Sequence, residues 1–352
     1  MPAKKHNTVV NDNPLFVKRV MIKGLFGKKD VDWTLGDVNV LVGQNGSGKS
    51  TILRVIYDTL RAVNSPTNDF DHLAEISISF TNGEDISCDG RDISRNRIMA
   101  IIGSRIMEGN LPTADEKELS ELLARVESKK ASVHVHFSGS IMTGEVGAKA
   151  TKLLQTMYVE YLSTFDMMLL TKKEYDEISG ELFTQLDLEL EREINRLTQY
   201  QLALSNQTLT QASTVASGND VAAIRASNFS RVNQFEQALN TMFNPNDKRF
   251  VISENGVVEV YYYDDAIPLT ALSSGEKQLI LILLRVVNTS DKPTILLLDE
   301  PEISLHLSWQ ESLIKTIKSI NEQCQLIIVT HSPALVMNGW MDSYIDLKDI
   351  TT

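Results

Sequence analysis

The chain has 352 residues, 42% of them hydrophobic, enough to bury one large core or two. Its net charge of −12 argues against broad electrostatic adhesion to nucleic acid, while a local basic face stays compatible with it. Cys88 and Cys324 form no C-x-x-C pair, which excludes a disulfide scaffold and a cysteine-built zinc site and suits a reducing cytoplasm. In chain order, Met1 to Asn13 is polar, lacks the apolar core of a signal peptide, and reads as a disordered lead.

Short strand-like runs follow at Phe16–Ile22, Val31–Trp33 and Val38–Val42, with Gly24, Gly27 and Gly36 as turn residues. The last run enters Gly43-Gln44-Asn45-Gly46-Ser47-Gly48-Lys49-Ser50-Thr51, a G-x-x-x-x-G-K-S phosphate loop, and helical spacing begins at Thr51-Ile52-Leu53. In such a loop the glycines let successive N–H groups curl around phosphate oxygens. The helix start adds its free N–H groups and positive dipole end. Lys49 is placed to neutralise the outer phosphates and the Ser50 hydroxyl to ligate Mg²⁺. The expectation is a bound nucleoside triphosphate.

Strands are predicted at Glu75–Phe80 and Glu84–Cys88 around the tight turn Asn82-Gly83, and at Val133–Phe137. Ala114–Lys130 between them reads as a charged surface helix. His134 and His136 share one strand face, but without a third ligand they read as ordinary sheet residues. Tyr158–Leu170 is apolar and can re-enter a central sheet.

From Tyr175 the apolar residues Ile178, Leu182, Leu186, Leu190, Ile194 and Leu197 recur at spacings of three and four, one stripe of a long helix. Residues 205–220, rich in Ser, Thr, Gln and Asn, read as a loop. A second stripe, from Val221 to Met242, completes a helical hairpin or coiled-coil-like arm, the alternative being two ordinary helices folded onto the main body. A further hairpin is expected at Phe250–Tyr262, around Glu254-Asn255-Gly256.

Leu279–Leu284 is halted by Arg285, far short of the ~20 apolar residues a membrane helix needs. Thr294–Asp299 is a fully apolar strand ending in Asp299-Glu300, as in a buried, mostly parallel sheet whose carboxyl end holds ligands. Asp299 can hold Mg²⁺, directly or through water, and Glu300 can polarise an attacking water. Gln325–Val329 repeats the pattern and ends in Thr330-His331, with His331 in reach of a γ-phosphate.

These strings together resemble the ABC-type ATPases: Gly43–Thr51, Leu272-Ser273-Ser274-Gly275-Glu276, Asp299-Glu300-Pro301-Glu302 and Thr330-His331-Ser332-Pro333 stand in that family's order. Leu272–Gln278 looks like its signature motif, with Ser274 and Glu276 in place of the commoner Gly and Gln. The resemblance implies that Ser273 and the Gly275 backbone reach the γ-phosphate held by an opposite subunit. Physically, Ser273 and Ser274 precede a helix, a second anion-binding start. The match is nearer the chromosome-maintenance, RecF and OLD-like branch than the transporters, since Glu302-Ile303-Ser304-Leu305-His306 stands where transporters show Thr-Ser-Ala-Leu-Asp. S-S-G-E-K-Q-L, L-D-E-P-E-I-S-L-H and T-H-S-P resemble the stand-alone ATPase subunits of antiphage defence systems of the Septu, retron-associated and PARIS types. For the loop that couples nucleotide to partner, Gln155 is the nearest residue, and no nuclease module follows His331.

The expected fold is α/β: an ABC-type P-loop NTPase head with an antiparallel β subdomain and an inserted helical arm. Its parts are residues 1–165, an insertion at 166–245, and 246–352. The resemblance implies ATP and Mg²⁺ as cofactors, and a homodimer or higher homo-oligomer. It further implies a separate effector protein, such as a nuclease, as partner. The alternative is a DNA-repair or chromosome-associated ATPase that clamps DNA; DNA or RNA stays open as a partner, and no membrane partner is expected.

Overall fold

A computed structural model of the chain describes residues 15–61, 74–89, 136–137, 140–141, 145–163, 184–213, 218–253, 256–289 and 292–352. They begin with strands β1 (Val17–Leu25), β2 (Lys29–Thr34) and β3 (Val38–Val42), helix α1 (Lys49–Arg61), and strands β4 (Glu75–Phe80), β5 (Asp85–Asp89), β6 (His136–Phe137) and β7 (Ser140–Ile141). Helix α2 (Glu145–Gln155), strand β8 (Tyr158–Ser163) and helices α3 (Gln185–Ala212), α4 (Gly218–Asn228) and α5 (Ser230–Phe243) follow. Strands β9 (Lys248–Ile252), β10 (Val258–Tyr262) and β11 (Asp265–Ile267) lead to helix α6 (Ser274–Val287) and strand β12 (Thr294–Asp299). Helix α7 (Leu307–Ile320), strand β13 (Cys324–Val329), helix α8 (Ala334–Met337) and strand β14 (Tyr344–Asp346) complete the order. Two compact units result: Met1–Asp37 with Arg54–Val159 and Lys348–Thr352, and Val38–Leu53 with Glu160–Leu347.

The first unit holds an antiparallel sheet in the order β2-β1-β4-β5-β6-β7. Strand β4 shows why: Ile76, Ile78 and Phe80 are buried on one face while Glu75, Ser77 and Ser79 alternate on the other. The turn expected at Asn82-Gly83 forms, with Phe80 N–H donating to Glu84 O at 2.8 Å. The last residues return to this sheet, where Asp30 and Thr352 exchange backbone hydrogen bonds of 3.1 and 3.0 Å. The surface helix expected at Ala114–Lys130, and His134, lie outside the described residues.

The second unit carries a five-stranded sheet in the order β14-β3-β13-β12-β8, in which β14, β3, β13 and β12 pair in parallel. Every residue of β3, β12 and β13 is buried, as a sheet covered on both faces requires. Asn39, the polar residue inside β3, is satisfied by donating to Leu326 O at 3.0 Å. A small antiparallel sheet, β11-β10-β9, adds a third strand to the expected hairpin.

Helix α6 is the centre of this unit. Leu279 to Leu284 are at most 2% exposed, and each contributes roughly 1.5–3 kcal/mol by burial. One apolar cluster joins them to Leu190, Leu197 and Leu204 of α3, Phe235 and Leu239 of α5, and Leu313, Ile314 and Ile317 of α7. Phe243 sits 4.7 Å from Phe250 and 5.1 Å from Trp309, centroid to centroid, and Trp309 Nε1 donates to Met242 O at 3.0 Å. Within the described residues the inserted helices join this core: Leu190 and Leu197 belong to it, and Leu186 and Ile194 pack against it. Tyr175, Ile178 and Leu182 lie outside the described residues.

Two local expectations also change. Residues 205–212 continue α3 rather than forming a loop, because their polar side chains find solvent or partners without breaking the helix. Buried Thr208 donates to Leu204 O at 2.8 Å and accepts from Asn228 Nδ2 at 2.9 Å as α4 returns along α3. The second stripe is two helices, separated at Phe229.

Ionic contacts tie α3 to α6. Arg285, which interrupts the apolar run, meets Glu160 of β8 and Glu189 (2.6 Å) and Glu193 (3.6 Å) of α3. Burial lowers the pKa of its guanidinium, but Glu160, Glu193 and Glu189 together raise it above the usual value. Lys277 pairs with Asp187 at 2.8 Å, and Asp187 also caps α3 through Thr184. Burial pushes Asp187 up, yet hydrogen bonds from Lys277 and Thr184 outweigh it and hold its pKa below the usual carboxylate value. The folded state then binds fewer protons than the unfolded one as pH falls through the unfolded value of 3.8. The stability from this carboxylate is complete above that value and lost below it. Asp187→Asn is expected to cost about 3 kcal/mol near neutral pH and to flatten the acid limb of the melting-temperature profile. An unchanged acid limb would show that the pair carries no stability.

Candidate nucleotide site

The parallel register sets the site. Asp299 lies opposite Val329 and Val329 opposite Leu41, so β12, β13 and β3 end level at one edge. Two hydrogen bonds continue the ladder into the loops: Glu300 N–H to Val329 O (2.8 Å) and Thr330 N–H to Leu41 O (3.2 Å). The loops that leave this edge are 43–48, 300–306 and 330–333.

In the first loop Gly46 (φ 72°) and Gly48 (φ 103°) take left-handed conformations that side-chain-bearing residues adopt only under strain. Asn45 and Gly46 are exposed, and Thr51 continues α1. The Ser47 hydroxyl is buried without a hydrogen-bond partner. Lys49 is 4% exposed and donates to Gly43 O (3.0 Å) and Gln44 O (3.1 Å), with His331 Nε2 3.0 Å away. Since an ammonium only donates, His331 Nε2 accepts, which leaves the imidazole proton on Nδ1. Burial lowers the Lys49 pKa below the usual lysine value, while Glu300, Asp299 and Glu302 pull it back in part.

Asp299 is bound through both carboxylate oxygens. Ser50 Oγ donates to Oδ1 at 2.9 Å and Tyr161 Oη donates to Oδ2 at 3.0 Å. Glu300 holds a left-handed φ of 51°, and its Oε1 is 3.4 Å from His331 Nε2. Glu302 Oε1 accepts the backbone N–H of His331 at 2.8 Å, so the second loop positions the third. Gln310 binds Glu302 O (3.3 Å) and Leu305 O (2.9 Å) and accepts from Ser332 Oγ (2.6 Å).

Ser273 and Gly275 form a second cluster. Exposed Ser273 caps α6 reciprocally with Glu276: its Oγ donates to Glu276 Oε2 and its N–H reaches the same oxygen, both at 2.9 Å. Glu276 also pairs with Lys248 of β9. Burial raises the Glu276 pKa, but Lys248 and Ser273 overcome that and keep it below the usual carboxylate value. Gly275 has no room for a side chain, since a Cβ there would meet Ser304 O at 2.1 Å, and Ser304 itself has φ 71°. The signature helix thus rests on the 300–306 loop through a contact only glycine permits.

The structure gathers Lys49, Ser50, Asp299, Glu300 and His331 into one network. Tyr161, Gln310 and Lys248 were not foreseen, and Glu302 was read as part of a motif without its hold on His331. Gln155 ends α2 as an exposed residue. Tyr161 alone had a legible hint, its place on an apolar run expected in the central sheet.

These residues suit a triphosphate: the Ser47 hydroxyl is buried without a hydrogen-bond partner, and the Lys49 ammonium stands at the start of a 13-residue helix. Among the described residues no group of three or more His, Cys, Asp and Glu could hold a metal by itself. Mg²⁺ held by one or two protein oxygens and substrate phosphates requires no such group. Among the described residues no helix is long and apolar enough to cross a membrane.

The fold is that of a P-loop ATPase head similar to those of SMC proteins. The fold is shared with the SmcHead bound to the C-winged helix domain of ScpA, at 15% identity over 92% of this chain and 91% of that one, with a TM-score of 0.51. The Smc head domain with an extended coiled coil bound to the C-terminal domain of ScpA from Pyrococcus furiosus is similar at 15% identity, 92% of each chain and TM-score 0.47. The SMC head domain from Thermotoga maritima is similar at 13% identity, 92% and 91% coverage and TM-score 0.46. The chain belongs to the AAA ATPase domain family (AAA_15), which it matches over residues 16–336. No protein of curated function matches its sequence.

Proposed function

We propose that this ATPase is a dimeric switch: ATP and Mg²⁺ close two copies on each other, and hydrolysis parts them. The convergence of the phosphate loop, Asp299-Glu300 and His331 at one sheet edge carries this reading. Ser47, Lys49 and the α1 start bind the phosphates, while Ser50 and Asp299 hold the metal. Glu300 takes the proton of the attacking water, and His331, fixed through Glu302, contacts the terminal phosphate. Ser273 and the Gly275 backbone serve the site of the opposite copy, which fits the exposure of Ser273 and the packing of Gly275 on Ser304.

The switch controls a separate effector, such as a nuclease, in antiphage defence. The resemblance of S-S-G-E-K-Q-L, L-D-E-P-E-I-S-L-H and T-H-S-P to the ATPase subunits of such systems supports this output. Cells protected from phage only when both Lys49 and a neighbouring effector gene are intact would bear it out. ATP turnover stimulated by duplex DNA would instead favour a DNA-clamping ATPase, a reading that draws on the shared head fold.

Shared sites have a direct test. Ser273→Arg puts bulk and charge on the opposing face and leaves Lys49 untouched. Mixed in equal amounts with Lys49→Ala, which is inactive for a different reason, it is expected to recover about a quarter of wild-type ATP turnover, because about half of the dimers are mixed and each carries one intact composite site. No recovery on mixing would overturn sharing.

A further inference from the structure

The structure assigns Tyr161 as a positioning residue for the metal-side carboxylate Asp299, an inference that rests on the nucleotide site proposed above. Its phenol donates to Asp299 Oδ2 at 3.0 Å, while Ser50 Oγ donates to Oδ1 at 2.9 Å. Asp299 is 6% exposed and ends a strand whose every residue is buried. Held from both sides, its carboxylate plane cannot rotate without losing one of these hydrogen bonds. Each carboxylate oxygen accepts more than one hydrogen bond, so the two hydroxyls leave a lone pair on each for a metal ion or its water.

The strand is built to keep the phenol there. Side chains alternate along β8, so Glu160 and Leu162 point away from Tyr161. Leu162 is buried in the main apolar cluster, and Glu160 is paired with Arg285 of α6. Arg285 in turn holds Glu189 and Glu193 of α3. A register slip that moved the phenol would break this pairing and expose Leu162. Tyr161 therefore sets the carboxylate orientation before metal arrives, as the outer partners of metal ligands commonly do.

Tyr161→Phe removes one oxygen and keeps the ring. The test titrates a fluorescent, slowly hydrolysed ATP analogue into wild type and variant, with EDTA or with graded Mg²⁺. Affinity in EDTA is expected to match wild type and the melting temperature of the ligand-free protein to fall by a few degrees at most, while the Mg²⁺ midpoint rises about tenfold. In an Asp299→Asn background the same change should add nothing, since its effect passes through that carboxylate. A wild-type Mg²⁺ midpoint in Tyr161→Phe, or a further loss on top of Asp299→Asn, overturns the assignment while leaving the nucleotide site standing. Absence of any Mg²⁺-dependent tightening in wild type overturns the nucleotide-site reading itself.

Discussion

Lys49→Ala is expected to weaken ATP binding on the order of 10²-fold, by removing the charge-assisted hydrogen bonds to the outer phosphates. The Lys49 ammonium serves Gly43 O, Gln44 O and His331 Nε2. Truncation leaves those acceptors to water or unpaired, so the ligand-free protein should also lose about 1–3 kcal/mol. The buried charge moreover has a cost, seen in its lowered pKa, and a triphosphate would relieve it by supplying counter-charge. Calorimetric titration with ATP and a thermal melt separate the two effects. Near-wild-type affinity would place the triphosphate elsewhere.

Glu300→Gln should give the opposite profile, with ATP binding kept and turnover reduced on the order of 10²- to 10⁴-fold. The amide is isosteric, so the left-handed turn at φ 51° and the N–H bond to Val329 O are undisturbed. Asp299 still faces Ser50 and Tyr161 and remains available to the metal. What disappears is the carboxylate that can accept a proton from water. Closed dimers should therefore accumulate with ATP and be visible by light scattering. A variant that turns over at the wild-type rate would remove Glu300 from its proposed role.

The parts of the site that chain order and residue type dictate were legible without coordinates. A phosphate loop between a strand and a helix has one productive backbone path, because Gly46 and Gly48 must take positive φ there. Strands apolar on both faces must be covered on both, so Thr294–Asp299 and Gln325–Val329 could only be inner strands of a layered sheet, with their carboxyl-end residues side by side. The helix start after Ser273 and Ser274 is likewise local, although its capping box with Glu276 emerged only in the structure.

Other features depend on partners distant in sequence. The spacing of Leu186, Leu190, Ile194 and Leu197 requires cover for a helix face but does not name the cover. A hairpin's other half would satisfy it as well as α6 does. Only the fold shows that α6 supplies it, reinforced by Arg285 and Lys277 against Glu189, Glu193 and Asp187. Residues 205–212 misled for the same reason: a polar stretch reads as loop until Asn228, twenty positions from Thr208, is known to be its partner. Tyr161 meets Asp299 across 138 positions. Periodicity and motif encode what each segment needs, burial or charge or a turn, because those needs arise within a few residues. Which distant group meets the need is settled by packing the whole chain at once, where most buried polar groups find a partner.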